Sequence, residues 1–112
     1  MDIEINKDNY QEEIVENPKP TVVDFWGPQC VRCLELMPVI EEIALSKKDA
    51  MRVVKIDTTK NRRLCMGLKL MRLPAFLFYR DGKEVGRISG DELTENDVRE
   101  AVDKLLSGQG GL

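Results

Sequence analysis

The sequence predicts an α/β fold, with a central mixed β-sheet of about five strands flanked by about four helices. Residues 21–26 (TVVDFW) and 52–57 (RVVKID) are rich in apolar and β-branched residues, as expected of strands covered on both faces. Segments with helical spacing of apolar residues alternate with these strands. The dipeptide Asp81-Gly82 predicts a hairpin between the last two strands. Together these observations predict helices on both faces of a mixed sheet.

The first predicted elements are short. Residues 2–5 alternate polar and apolar, which predicts a strand. Asn6 or Asp8 can cap a brief helix that ends at residues 17–20, because each proline there disfavours the helical region in the residue before it. The apolar face of this helix is predicted to comprise Tyr10, Ile14 and Val15.

A long amphipathic helix is predicted from about residue 31 to residue 48, directly after the 21–26 strand. Its apolar positions are Met37, Ile40, Ile43 and Ala44. Strands are predicted next at residues 52–57, 73–80 and 83–89, with a shorter helix at residues 61–70 between the first two. Residues 94–97 (TEND) are a capping box that opens a last helix. Its apolar face is predicted to be Val98, Ala101, Val102, Leu105 and Leu106.

The size and composition predict one soluble globular domain. A chain of 112 residues, 42% hydrophobic and 33% charged, can bury one core but not comfortably two. We expect residues 1–107 to form the domain and residues 108–112 to be a flexible tail.

The charge pattern argues against two classes of partner. The net charge is only −3 and basic residues are interleaved with acidic ones, so we expect neither nucleic-acid nor membrane binding. The chain begins MDIE, without a signal-peptide pattern, and has no apolar run of the roughly 20 residues that span a bilayer. We therefore expect a cytoplasmic protein, and we expect it to be a monomer.

The candidate site is the pair Cys30 and Cys33 in the stretch FWGPQCVRC, placed where a central strand ends and a helix begins. Histidine is absent, which excludes imidazole bases and histidine metal ligands. A zinc site would need Cys65 as a third ligand and a carboxylate as the fourth, an unusual set. A structural disulfide across three residues would close too small a loop to stabilise much. Redox chemistry is the favoured interpretation.

Position explains how such a pair would react. Backbone N–H groups and the helix dipole at a helix N-terminus stabilise a thiolate and lower the pKa of a cysteine there from about 8.5 to roughly 3.5–7.5. Cys30 is therefore the candidate nucleophile, and Cys33, nearly one turn later, the resolving thiol. The Arg32 cation, at about 7 Å from the thiolate and with an effective dielectric constant of about 40, would stabilise the thiolate by about 1 kcal/mol more.

These residues resemble the thioredoxin family over nearly the whole chain. The resemblance is carried by the block VVDFW, the C-x-x-C, Pro38 five residues beyond Cys33, Lys55, Pro74 and the hairpin DGKEVGRISG that ends at Gly90. It implies the thioredoxin fold. It also implies a thiol-disulfide oxidoreductase that needs no metal or organic cofactor beyond the Cys30–Cys33 disulfide, acts on protein disulfides, and receives electrons from a reductase of the thioredoxin-reductase type.

The resemblance also implies residue roles. Cys30 matches the exposed nucleophile, Cys33 the buried resolving cysteine, and Asp24 the buried carboxyl that takes the proton of the resolving thiol. Lys55 is expected near Asp24, and burial would raise the pKa of that carboxyl. Pro74 matches a cis-proline that offers backbone hydrogen bonds to substrate. Further residues expected to tune the site or line the substrate groove are Trp26, Gln29, Val31, Arg32, Leu73 and Gly90.

The chain departs from the usual family motif W-C-G-P-C. Gln29 stands before the first cysteine, and Val31-Arg32 replaces the intervening glycine and proline. Because that proline is associated with strongly reducing behaviour, we expect a couple less reducing than a typical thioredoxin. The alternative function is a non-catalytic binding or redox-sensing module on the same fold.

Several further residues are interpreted as structural. We expect Cys65 to be a small buried apolar residue, with a regulatory or dimer-forming thiol as the alternative, and Met37 and Met66 to serve in packing. Met71, also interpreted as packing, precedes Pro74 together with Arg72, so both are candidates to line the groove. We expect Glu41 and Glu42 to lie on a solvated helix face.

Overall fold

The structure, a computed structural model, describes residues 3–108. The strands are β1 (Ile3–Glu4), β2 (Thr21–Trp26), β3 (Arg52–Asp57), β4 (Ala75–Arg80) and β5 (Lys83–Ser89). The α-helices are α1 (Val31–Ser46), α2 (Arg62–Gly67) and α3 (Glu95–Ser107). Two single turns complete the described part, a π-helical turn at Gln11–Val15 and a 3₁₀ turn at Thr58–Lys60. The α/β prediction is confirmed.

The five strands form one mixed sheet in the order β1-β3-β2-β4-β5. β2 pairs in parallel with β3 and antiparallel with β4, and β5 pairs antiparallel with β4 across the predicted hairpin. In this register Asp24 lies beside Lys55 on one neighbour and Phe76 on the other. β2 is therefore the central strand, and Asp24 lies in its middle.

The two outer strands differ from the inner ones. β1 is only two residues long, and β5 shows a register shift against β4 between Phe78 and Tyr79. Every residue of β5 is exposed or half-buried, whereas most of β4 is buried.

Each face of the sheet carries its own hydrophobic cluster, which confirms the prediction of helices on both faces. One cluster joins the sheet to α1 and α3, and its largest members include Ile40, Ile43, Phe76, Phe78 and Leu105. The other joins it to the π-helical turn and α2, and includes Ile14, Phe25, Ile56, Cys65 and Leu77.

Helix α1 ends two residues before the predicted end, at Ser46, and runs through Pro38. Its buried side is Cys33, Leu36, Ile40, Ile43 and Ala44. Met37, predicted for the apolar face, is only half-buried, and Leu36 takes that place. The burial stripe is thus displaced by one residue in the first half of the helix.

The first predicted helix is a single π-helical turn, and the prediction of its apolar face is wrong for one residue. Ile14 is fully buried and Tyr10 donates or accepts a 2.6 Å hydrogen bond with the hydroxyl of Tyr79, but Val15 is exposed. The backbone of Val15 packs on the β4–β5 hairpin instead: a Cβ at Gly82 would lie 1.9 Å from the Val15 carbonyl oxygen. Gly82, with φ +78°, is required there.

The last helix has the predicted capping box. The Asp97 N–H donates to the Thr94 hydroxyl at 3.0 Å, and the Thr94 N–H donates to the Asp97 carboxylate at 2.9 Å. Gly108, in the left-handed region, follows the helix. Of the predicted tail, residues 109–112 lie outside the described residues, as does Asp2 of the predicted first strand.

We predict that Ile40→Ala lowers the free energy of unfolding by about 3 kcal/mol, because it leaves a cavity in the cluster under α1. Ile40 is 0% exposed. Urea denaturation measures the change, with Leu45→Ala as control on the same helix, where the side chain is 66% exposed. Equal losses in the two variants would contradict this account of the core.

Candidate active site

The two cysteines lie at the start of α1, just beyond the carboxyl end of β2. Cys30 is the N-cap residue and Cys33 lies in the first turn; their sulfurs are bonded to each other and their Cα atoms are 5.2 Å apart. A tight turn leads into the helix, in which the Cys30 N–H donates to the Gly27 carbonyl oxygen at 3.0 Å. The sequence placed this pair correctly.

The two sulfur-bearing residues have unequal surroundings. Cys30 is half-buried and reachable from solvent, whereas Cys33 is only 2% exposed. The backbone N–H of Cys33 donates to the Cys30 sulfur at 3.1 Å. A helix-start N–H directed at the outer sulfur favours negative charge on it. This asymmetry suits an outer attacking thiolate and an inner resolving thiol.

A second loop closes against the cysteine loop. The peptide bond between Leu73 and Pro74 is cis, as the family resemblance implies. The Pro74 carbonyl oxygen accepts a 2.9 Å hydrogen bond from the N–H of Gly90, whose φ is +115°. The two loops meet at Gly27, where an added Cβ would lie 3.7 Å from the Leu73 side chain. Leu73, Pro74 and Gly90 are therefore joined to the cysteine loop.

Asp24 is a buried acid in the central strand. It is 2% exposed, and burial raises the pKa of its carboxyl from 3.8 to about 7. The Lys55 ammonium opposes this shift, and the Glu41 carboxylate adds to it. A carboxyl with a pKa near 7 can both accept and release a proton at neutral pH.

Glu41 is a residue of this site that the sequence analysis missed. Its carboxylate accepts a 2.7 Å hydrogen bond from the Lys55 ammonium. The side chain is 44% exposed, so the predicted solvated position is right in part, but the hydrogen bond with Lys55 was not predicted. Glu41 follows Cys33 by eight residues, about two helical turns, so both project from the same side of α1. That spacing, combined with a lysine on a buried strand, was the available signal. Glu42, as predicted, is exposed, and it contacts Arg99.

The side chain of Arg32 is half-buried and makes several hydrogen bonds. Its guanidinium donates twice to the Leu93 carbonyl oxygen, at 2.9 and 2.6 Å, and once to the Glu35 carboxylate at 3.0 Å. The Glu35 carboxylate neutralises part of the Arg32 charge that was expected to stabilise the Cys30 thiolate. Arg32 therefore fixes the start of α1 to the loop before α3.

The outward surface of the site is formed by the residues that depart from the family motif. Val31 is 70% exposed and Gln29 is also exposed. Trp26 is half-buried, and its carbonyl oxygen accepts a 3.0 Å hydrogen bond from the Thr58 hydroxyl. The Trp26 indole nitrogen is buried without a hydrogen-bond partner among residues 3–108. Gln29 and Val31 are thus open to solvent, whereas Trp26 is partly enclosed.

The third cysteine and the methionines are placed differently from one another. Cys65 is 9% exposed in the α2 cluster, where burial raises the pKa of its thiol, so its interpretation as a buried apolar residue is confirmed. The packing interpretation is wrong for Met66 and Met71, which are 75% and 87% exposed. Both lie in a short segment in which the leucines, rather than the methionines, pack against the hydrophobic cluster.

The described part of the chain offers neither a metal-ligand cluster nor a membrane-spanning helix. Between residues 3 and 108, no group of three or more His, Cys, Asp and Glu is arranged to hold a metal ion. Over the same residues, no helix is both long and apolar enough to cross a membrane.

The fold and the cysteine pair define the class of protein: an α/β enzyme that exchanges thiols and disulfides at a helix N-terminus. Comparison with known proteins agrees. The family model described as Thioredoxin matches residues 2–104. The chain is 33% identical over 103 residues to a thioredoxin of Acetoanaerobium sticklandii, covering 92% of this chain and 98% of that protein.

Other relatives give the same result. A thioredoxin of Peptoclostridium acidaminophilum is 32% identical over 105 residues, covering 94% of this chain and 92% of that protein. Thioredoxin 1 of Synechococcus elongatus is 32% identical over 97 residues, covering 87% and 90%. The chain belongs to the thioredoxin family. It is a protein-disulfide oxidoreductase whose redox group is the Cys30–Cys33 pair, with no separate cofactor.

We predict that Asp24 makes the stability of the oxidised protein depend on pH. The unfolded carboxyl ionises near 3.8 and the folded one near 7, so the folded state binds more protons between these values. The contribution of Asp24 to stability is full below about pH 4 and is lost as the pH rises to 7, by about 4 kcal/mol in all. Urea denaturation from pH 4 to 8 should show this loss in the wild type and not in Asp24→Asn.

Two further variants test the cause. Glu41→Gln removes a charge that raises the pKa of Asp24, so the loss should be smaller and should end at a lower pH. Asp49→Asn, at an exposed turn, should follow the wild-type curve. A pH profile for Asp24→Asn that matches the wild type would show that Asp24 is not the titrating group.

Proposed function

We propose that the enzyme reduces disulfides in protein substrates. The Cys30 thiolate attacks one substrate sulfur, which forms a mixed disulfide and releases the first substrate thiolate. The Cys33 thiolate then attacks the Cys30 sulfur, which closes the Cys30–Cys33 disulfide and releases the second. Two electrons pass to the substrate, and both substrate thiolates take up protons. The supporting observation is the bonded pair itself, with an accessible outer sulfur and an enclosed inner one.

In this proposal Asp24 handles the proton of the resolving thiol. Cys33 must lose a proton inside the protein before it can attack, and Asp24 is a buried carboxyl whose pKa of about 7 suits that transfer. The carboxyl can then pass the proton to the leaving substrate thiolate or to solvent. Lys55 and Glu41 would set the pKa of Asp24 and hence the pH range in which it can transfer the proton.

The groove for the substrate is proposed to lie between the cysteine loop and the Leu73-Pro74 loop. The resemblance assigns substrate hydrogen bonds to the backbone around Pro74, and the Leu73 side chain lies near Gly27 of the cysteine loop, 3.7 Å from where a Cβ would be. Gly90, a buried glycine, leaves room for the Arg72 guanidinium at this side of the groove. The exposed Val31 and Gln29 would touch the substrate.

The cellular setting is also part of the proposal. The enzyme is proposed to be a cytoplasmic monomer. A reductase of the thioredoxin-reductase type would supply the two electrons and two protons that restore its dithiol. A Cys33→Ser variant cannot resolve the mixed disulfide at Cys30, so substrates should remain attached to it. Mass spectrometry of the attached proteins would identify them.

We predict that the wild type accelerates the reduction of insulin by dithiothreitol, followed as precipitation of the freed B chain. Cys30→Ser removes the attacking sulfur and should give the rate of dithiothreitol alone. Cys65→Ser is the matched control and should retain wild-type activity, because Cys65 lies in the α2 cluster. Identical rates for wild type and Cys30→Ser would instead favour a binding module without turnover.

We predict that the reduction potential lies above the roughly −270 mV of a typical thioredoxin, toward the glutaredoxin range of about −200 to −230 mV. The N–H directed at the Cys30 sulfur stabilises the reduced thiolate, and the proline of the usual motif is missing. Equilibration with glutathione measures the potential. A value at or below that of typical thioredoxin would refute the prediction.

The same measurement tests the share of Arg32. Because Glu35 pairs with Arg32 at 3.0 Å, Arg32→Gln should lower the potential by about 20 mV or less, corresponding to about 1 kcal/mol. A larger fall would mean that the guanidinium acts on the thiolate more strongly than its contacts indicate.

A further inference from the structure

The interleaving of charges along the chain fails in one stretch. Residues 58–79 contain five of the 17 lysines and arginines and none of the 20 aspartates and glutamates. The five cations are Lys60, Arg62, Arg63, Lys69 and Arg72, and all are exposed. We call this set the basic strip. It is invisible in the net charge of −3, because the rest of the chain is strongly acidic.

The basic strip borders the cysteine loop at both of its ends. An added Cβ at Gly27, three residues before Cys30, would lie 3.4 Å from the Thr58 hydroxyl and 3.7 Å from the Leu73 side chain. These two residues stand just before Lys60 and just after Arg72. The segment between them therefore leaves the active site at one point and returns to it at another.

Most of the charge in the strip is uncompensated. Arg72 approaches Glu92 at 3.4 Å and Asp91 at 4.0 Å, across Gly90. The other four cations make no ion pair with any carboxylate described in residues 3–108. Lys60, Arg62 and Arg63 also line one groove of about 310 Å³, together with Lys7. A concentration of unpaired charge in a segment that adjoins the cysteine loop attracts an anionic partner.

The strip also carries apolar contact groups. Met66 and Met71 are 75% and 87% exposed within the same segment. Methionine side chains are flexible and adapt to varied partner surfaces. The leucines Leu64, Leu68 and Leu70 anchor the segment to the core, so the cations and methionines face outward from a fixed base.

We propose that the basic strip is a docking surface for an acidic polypeptide segment that lies beside the target disulfide, with one or two apolar residues that meet Met66 and Met71. This inference rests on the proposed function, since it names the chemistry of the substrate. The strip raises the rate of encounter with acidic substrates and orients them toward Cys30. Substrates with basic flanks are disfavoured.

A polypeptide fits the strip better than a nucleic acid. Non-specific binding of single-stranded nucleic acid uses aromatic side chains on which bases stack. In residues 58–79 the aromatic residues are Phe76, Phe78 and Tyr79, and all three are buried in β4. Exposed methionines beside unpaired cations offer contacts to side chains instead.

The test uses three disulfide peptides of equal length whose flanks carry glutamate, glutamine or lysine. Protein reduced beforehand and freed of reductant is mixed with each peptide, and the second-order rate of reduction is followed. The glutamine peptide reports the chemistry alone. The ratio of the glutamate rate to the glutamine rate reports docking, and its change between variants cancels the intrinsic reactivity of each peptide.

Arg62→Glu/Arg63→Glu should lower this ratio about tenfold at low salt. Near 1 M salt, where the Debye length is about 3 Å, the difference between variant and wild type should fall below about twofold. Lys60→Glu/Lys69→Glu provides a second reversal in case the first variant folds poorly, as judged by urea denaturation. The matched control is Lys48→Glu/Lys83→Glu, which makes the same charge change at exposed positions at the far end of the sheet.

The outcomes separate the two proposals. If the wild type fails to reduce the glutamine peptide, the proposed function is wrong. If that peptide is reduced normally but the ratio is unchanged in both strip variants, or falls equally in the control, the docking inference is overturned and the function stands. An oligonucleotide that the wild type binds and Arg62→Glu/Arg63→Glu releases, with the ratio unchanged, would assign the strip to nucleic acid and also overturn the inference.

Discussion

The pairing of β2 on both of its edges is the constraint on which the site depends. Because β3 and β4 take up its backbone hydrogen bonds and helices cover both faces, the middle of β2 is closed to water. Asp24 is therefore an acid that cannot ionise at its ordinary pH, and the chain leaves this strand directly toward Cys30. A single strand thus positions both the buried carboxyl and the outer cysteine of the redox pair.

This arrangement places a local conflict inside an otherwise consistent fold. A buried carboxyl destabilises the protein, and a partly buried lysine shared with a second carboxylate offsets this only in part. An apolar residue at position 24 would pack better with its neighbours in β2. Conflicts of this kind are expected at functional sites, where chemistry rather than packing determines the residue.

Features that depend on neighbouring residues could be predicted from the sequence, and features that depend on packing between elements could not. The bounds of β2, β3 and β5 and the Thr94 capping box follow from local patterns. The ion pair of Glu41 with Lys55 arises only when α1 packs on β3. The exposure of Met66 has a similar cause, because a six-residue helix has too few turns for periodicity to show which side is buried.

The outer strands of the sheet have a consequence for the behaviour of the protein in solution. An exposed strand edge can pair with another molecule and start aggregation. Here one edge is the two-residue β1, and the other is β5, where the register shift interrupts the ladder and Lys83, Glu84 and Arg87 are exposed. Neither edge offers a long, flat, apolar template. The molecule can therefore expose the Cys30 sulfur and the side chains of Met66 and Met71 while its short or interrupted sheet edges disfavour strand pairing between molecules.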